Sequence, residues 1–223
     1  MNALILVDLQ KDFVCEGALA VDDGDQIVPV ANLLMPYFDL VVATQDWHPN
    51  DHLSFAAQHS SRQIGDEIEL EGLPQVLWPD HCVEQSKGAE LLSMLDMEGI
   101  HQVFQKGTHR TIDSYSGFFD NGHRHATGLE NFLRDQQVTD VYIMGLATDY
   151  CVKYTALDAV KLGFRTHLVL DGCRGVELTA GDVERAVEQM QLAGIYITSA
   201  AQTIEQLSKH KNIDEKDSED CNE

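Results

Sequence analysis

Short apolar runs alternate along this chain with longer stretches whose apolar positions recur every three or four residues. The runs Ala3–Val7, Leu40–Ala43, Gln102–Gln105, Val141–Met144, His167–Leu170 and Ile195–Ile197 are rich in Val, Ile and Leu, the pattern of strands buried on both faces. Helical periodicity fills the intervals at Gln26–Phe38, Gly88–Met97, Thr127–Asp135, Asp149–Leu162 and Thr179–Leu192, and a last helix is predicted over Ala200–Lys209. Strand–helix alternation of this kind predicts an α/β fold, a six-stranded parallel sheet covered on both faces. One domain over 1–209 is the simplest division.

Two polar, turn-rich stretches, 47–87 and 107–126, break this rhythm. Connections in α/β units usually take about 2–6 residues, so loops of this length after the second and third strands are expected to build a binding face. Beyond Lys209 the chain carries Asp214, Glu215, Asp217, Glu219, Asp220 and Glu223, and 210–223 is expected to be an acidic disordered tail.

Composition adds one constraint. The 223 residues include 15 Lys and Arg against 37 Asp and Glu, a formal charge of −22. Such a field repels phosphate backbones and anionic lipid, so neither nucleic acid nor a membrane surface is an expected partner. Met1 leads straight into the first apolar run, without the basic segment of a secretory signal, and the five cysteines are odd in number and scattered. Both features point to reduced thiols and a cytoplasmic location. A homo-oligomer is compatible with the sequence.

The chemistry gathers at the ends of the apolar runs. Val141-Tyr-Ile-Met-Gly-Leu-Ala-Thr-Asp-Tyr-Cys151 passes from a strand through a tight turn into a helix, with Thr148 or Asp149 placed to cap it and Cys151 in its first turn. There the free N–H groups and the helix dipole are expected to lower the thiol pKa and to hold an oxyanion. Cys15, Cys82 and Cys173 read as small buried hydrophobes. Asp8 closes the first strand and Lys106 the third, and carboxyl ends of parallel strands face the ligand crevice of open α/β sheets. A Cys–Asp–Lys site follows, in which Asp8 takes the thiol proton and Lys106 offsets the negative charge.

A second cluster suits a divalent metal. Asp46 and His48 alternate, Pro49-Asn50-Asp51 supplies a turn that can return His52 to the same point, and His81 arrives from a separate loop. One carboxylate with three imidazoles suits Zn²⁺ first, with Fe²⁺ or Mn²⁺ as alternatives. Of the other histidines, His59, His101, His123, His125, His167 and His210 read as polar loop residues.

At Asp8-Leu-Gln-Lys-Asp-Phe13, Asp46-Trp-His-Pro-Asn-Asp-His-Leu-Ser-Phe55, Trp78-Pro-Asp-His-Cys82, Lys106-Gly, Asp113-Ser-Tyr-Ser-Gly-Phe118 and Ala147-Thr-Asp-Tyr-Cys151 the chain resembles the nicotinamidases of the isochorismatase-like cysteine hydrolase family. The resemblance covers residues 1 to about 207. It implies a three-layer α/β/α sandwich and a catalytic triad of Asp8, Lys106 and Cys151. It implies a metal site of Asp46, His48, His52 and His81, and aromatic walls from Phe13, Trp78 and Tyr115 around a pyridine ring. It also implies an oxyanion hole from the N–H groups of Ala147 and Cys151, with a cis peptide between Leu146 and Ala147. The activity implied is hydrolysis of nicotinamide to nicotinate and ammonia through a cysteine thioester, a step of NAD salvage, with the metal binding the pyridine nitrogen and pyrazinamide accepted as well.

Relatives acting on carbamoyl or ureido substrates share the triad but generally lack the metal quartet, and true isochorismatases lack the cysteine. A metal-hydroxide hydrolase with a merely packed Cys151, and a metal-stabilised binding protein, are the rival readings.

Overall fold

The computed structural model describes residues 1–209; the tail predicted over 210–223 lies outside them. Six parallel strands form one sheet: β1 (Asn2–Val7), β2 (Leu40–Asp46), β5 (Gln102–Lys106), β6 (Asp140–Leu146), β7 (Arg165–Arg174) and β8 (Tyr196–Thr198). Their spatial order is β5-β2-β1-β6-β7-β8. Chain order thus runs outward in one direction from β1 and then outward in the other from β6. Right-handed crossovers in the two directions put helices on opposite faces, which makes the three-layer sandwich. The switch point lies between β1 and β6, where ligands bind in such sheets.

The helices are α1 (Val28–Leu34), α2 (Leu129–Asp135), α3 (Lys153–Lys161), α4 (Asp182–Leu192) and a last one over 200–209. Among the described residues no helix is long and apolar enough to cross a membrane. The central strands are buried on both faces: Leu4, Ile5, Leu6, Val42, Val141 and Ile143 are all fully covered. Each such side chain contributes about 1.5–3 kcal/mol relative to exposure.

Two predicted features differ. Residues 88–97 form turns rather than a helix, although Ala89, Leu92 and Leu95 are buried at the expected spacing. Their backbone is bonded to the segment after β1 instead: Asp12 N donates to Gly88 O (3.0 Å), Lys11 N to Glu90 O (3.0 Å) and Leu92 N to Leu9 O (2.9 Å). Tertiary partners outbid the local i→i−4 bonds. The stretch 47–87, expected to be irregular, carries an antiparallel ribbon, β3 (Glu67–Leu70) and β4 (Leu73–Val76), closed by the two-residue turn Glu71-Gly72.

At the switch point the β6–β7 register shifts between Ile143 and Gly145. Gly145 adopts φ +135°, and a Cβ there would stand 2.1 Å from the Val7 carbonyl oxygen. The close approach of β6 to β1 therefore requires glycine. Gly145→Ala is expected to cost about 3 kcal/mol from overlap and strain together, lowering Tm by roughly 6–12 °C for a chain of this size. Thermal unfolding followed by circular dichroism measures this, and a shift below about 2 °C would contradict it.

Candidate active site

Asp8, Asp46 and Lys106 stand at carboxyl ends of strands, and Cys151 follows the end of β6 by one turn. Asp46 and Lys106 are the last residues of β2 and β5 and are register partners; Asp8 follows β1 at φ +50°. A non-glycine residue in that left-handed region is uncommon and is held there by its surroundings. Thr44 supplies part of the hold, donating to Asp8 Oδ1 at 2.6 Å and accepting from Asp8 N at 3.2 Å.

Lys106 is buried with its ammonium between two carboxylates, 2.8 Å from Asp8 Oδ2 and 2.5 Å from Asp46 Oδ1. It also donates to Ser114 O at 2.9 Å and lies 3.4 Å from Cys151 Sγ. Burial opposes its charge, but the two carboxylates outweigh burial and hold its pKa well above the ordinary lysine value. Burial likewise raises Asp8, against the pull of Lys106. For Asp46 burial is overcome by Lys106, His48 and His81, and its carboxyl sits well below the usual range.

Cys151 lies in a π-helical turn, Thr148–Val152, that leads into α3. The first-turn position is as predicted; the capping and the thiol are not. Neither Thr148 nor Asp149 caps the helix, because Ala147 occupies the cap position and the Asp149 carboxylate accepts from Val176 N (2.9 Å) and Glu177 N (2.8 Å). Burial pushes the Cys151 thiol well up, and the Asp8 and Asp46 carboxylates add to this against Lys106. Cys151 Sγ and an Asp8 carboxylate oxygen lie within 4.8 Å of each other, so a base stands beside the thiol. The peptide between Leu146 and Ala147 is cis. Cys82 and Cys173 are buried as predicted, whereas Cys15 is exposed.

The four expected metal ligands divide. Ligand atoms of Asp46, His48 and His81 lie within 4.8 Å of one another, while His52 groups instead with His48 and Asp113. Asp46 Oδ2 is 3.6 Å from His48 Nε2 and 3.8 Å from His81 Nε2. The other ring nitrogens are engaged elsewhere. His48 Nδ1 meets Gly107 O at 2.9 Å, His81 Nδ1 meets Pro79 O at 2.8 Å, and His52 Nδ1 meets Ser54 Oγ at 2.7 Å. That carbonyl contact is the kind of outer partner that orients a ligating imidazole. Gly107, at φ +65°, lets the chain pass the His48 ring, which a Cβ would meet at 2.3 Å.

His48 Nε2 is buried and has no hydrogen-bond partner, an orphan that a cation would satisfy. Burial lowers His52, and burial with His48 brings His81 down to about 4, both shifts favouring the neutral imidazole. His48 is raised, since Asp46 outweighs burial. A buried carboxylate with converging imidazole nitrogens is a donor set that fits Zn²⁺ or a similar divalent ion.

Both clusters border one small cavity. Asp46 and His81 lie on one side of it, Cys151 and Ala147 on another, and Phe13, Trp78 and Tyr115 supply apolar walls. Tyr115 Oη accepts from Trp78 Nε1 (3.1 Å) and Gln75 Nε2 (3.2 Å).

Several residues of the site carry no sequence signal that periodicity would reveal. Gln10 is fully buried and its amide pairs with the backbone of Asp46, accepting from Asp46 N and donating to Asp46 O, each at 2.8 Å. Asp113 borders the cavity, with its carboxylate taking Gln75 Nε2 (3.0 Å) and Ser114 N (2.7 Å). Its place in the Asp113–Phe118 motif was the one available hint. One histidine reading is corrected: His167 lies buried in β7 between the rings of Tyr142 and Tyr196, whereas His125, a loop residue as read, pairs with Asp120 at 2.6 Å.

Comparison with known proteins agrees with this architecture. A model of the isochorismatase domain matches residues 2–202. A nicotinamidase of Escherichia coli is 48% identical over 204 residues, covering 90% of this chain and 95% of the relative. The structure of a nicotinamidase/pyrazinamidase of Acinetobacter baumanii superposes with a TM-score of 0.87 at 44% identity, covering 90% of this chain and 96% of that one. The pyrazinamidase of Pyrococcus horikoshii, solved in complex with zinc, superposes with a TM-score of 0.72 at 38% identity over 89% of this chain and 98% of that one. Matched in this way along nearly all of its described length, the chain belongs to the isochorismatase family.

Proposed function

We propose that this chain hydrolyses nicotinamide to nicotinate and ammonia through a thioester on Cys151. The observation that carries the reading is a single cavity bordered at once by a thiol with its base and by an Asp–His cluster of metal-ligand type. The nicotinamidase relatives support the substrate, and the zinc-bound pyrazinamidase supports the ion.

Asp46, His48 and His81 would hold the ion, with His52 behind His48 as a supporting residue. When bound, the ion supplies an open position for the lone pair of the pyridine nitrogen and so fixes the ring. Phe13, Trp78 and Tyr115 enclose the ring faces and keep water from it. The carboxamide then lies toward Cys151.

Asp8 accepts the thiol proton as sulfur adds to the carboxamide carbon. The N–H groups of Ala147 and Cys151 receive the developing oxyanion. Asp8 passes its proton to the amide nitrogen, the C–N bond breaks and ammonia leaves, with a thioester remaining. Water then gives a proton to Asp8 as its oxygen adds to the thioester carbon, the C–S bond breaks, and the proton returns to sulfur as nicotinate departs. Lys106 keeps its charge throughout, balancing Asp8 and Asp46 and favouring sulfur as thiolate during attack. The raised thiol fits a base-coupled attack, because the proton leaves only when the nucleophile is engaged.

Three outcomes test the reading. Cys151→Ala should abolish ammonia release from nicotinamide while metal analysis still finds the ion; retained turnover would end the thioester route. Chelation should raise KM by about 10-fold or more with a smaller effect on kcat, and metal content should be lost in His48→Ala and His81→Ala but kept in His52→Ala. Finally, kcat/KM should fall on the acid side with a pKa above the usual carboxylate range. Burial raises Asp8, its ionised form is the active one, and activity is therefore lost as pH drops through that value. Measuring bound metal at each pH separates this limb from loss of the ion, which would assign it to the histidines instead.

A further inference from the structure

Beside the catalytic cavity lies a larger cleft of ≈ 340 Å³ between the β3–β4 ribbon and the start of α3 and α4. Two residues border both spaces, Tyr115 and Tyr150. Their rings, 5.4 Å apart between centroids, are the partition between them.

The two rings are held differently. Tyr115 is anchored at its hydroxyl by Gln75 and Trp78 and is stacked on Tyr154 at 5.4 Å. Among the described residues no hydrogen bond to the Tyr150 hydroxyl is found; the ring rests edge-on against Trp78 at 4.9 Å and against Tyr115. Trp78 and Tyr115 are the walls assigned above to the pyridine ring. Tyr150 thus closes the cavity on the side where the neighbouring cleft offers room, and it does so by bulk rather than by a polar contact.

Resting on the nicotinamide reading, we infer that Tyr150 is a specificity-determining residue that limits substrates to pyridine carboxamides without a bulky ring substituent. Removing its ring joins the cavity to the cleft and admits 5-substituted nicotinamides, whose substituent extends between Tyr115 and Lys153. A position defined by packing alone discriminates by size, and loses discrimination when its bulk is removed.

The experiment compares kcat/KM for nicotinamide and 5-phenylnicotinamide in the full-length, metal-loaded enzyme. Wild type should favour nicotinamide by about 100-fold or more. Tyr150→Phe should keep that ratio, since the hydroxyl makes no bond, and Tyr150→Ala should lower it about tenfold or further, mainly by raising the larger substrate's value. An unchanged ratio in Tyr150→Ala, or a wild type that takes both substrates equally, would overturn the assignment; Tyr150→Leu replaces the alanine variant if that one fails to fold. A readout independent of turnover is the alkylation rate of Cys151 by iodoacetamide and by the bulkier 2-iodo-N-phenylacetamide, followed by mass spectrometry of the Cys151 peptide. Tyr150→Ala should speed the bulkier reagent selectively. A selective gain in a protein that never hydrolyses nicotinamide would retain the partition and reject the substrate; nicotinamide turnover without any selective gain would do the reverse.

Discussion

A single buried ammonium holds this site together. Lys106 is buried away from solvent and takes its stabilisation from Asp8 and Asp46, with Ser114 O as a further acceptor. Removing one partner of such a buried group typically costs about 3–5 kcal/mol, because the remaining charge is left uncompensated. The ends of β1, β2 and β5 are therefore tied at one point. Asp46 is shared: one oxygen meets Lys106 and the other faces His48 and His81. Nucleophile and metal-type cluster are thus two halves of one charge network.

Around that network stands a layer of residues that position without reacting. Gln10 clamps the backbone of Asp46, Thr44 holds Asp8 in a left-handed conformation, and the carbonyl of Gly107 turns His48. Each contact fixes one degree of freedom of a charged side chain. Tolerances in such sites are narrow, and a misplacement of an ångström can remove most of the rate.

What the chain discloses before folding follows from how each feature is encoded. The six strands are legible because burial on both faces forces continuous apolar runs, and Asp8, Lys106 and Asp46 stand out as charges where those runs stop. The segment 88–97 misleads, since its buried Ala89, Leu92 and Leu95 have helical spacing while its backbone bonds belong to residues 9–12. Periodicity reports which side chains are buried and is silent on where the amides go. Cys151 is located correctly and the direction of its thiol shift is not, because a local argument from the helix end omits the burial of the sulfur, to which the Asp8 and Asp46 carboxylates add. His52 shares a motif with His48 yet faces Asp113, a residue 61 positions further along the chain, which no local spacing foretells.

The β3–β4 ribbon stands outside the parallel sheet and, among the described residues, its strands pair only with each other. Its second strand nevertheless reaches the cavity wall through Gln75, whose amide grips Asp113 and Tyr115. Support for the pocket is in this way separated from support for the fold. The ribbon's tip can vary in length and composition while the six-stranded scaffold stays as it is, so selection has a handle on the shape of the recess that leaves the reacting groups untouched.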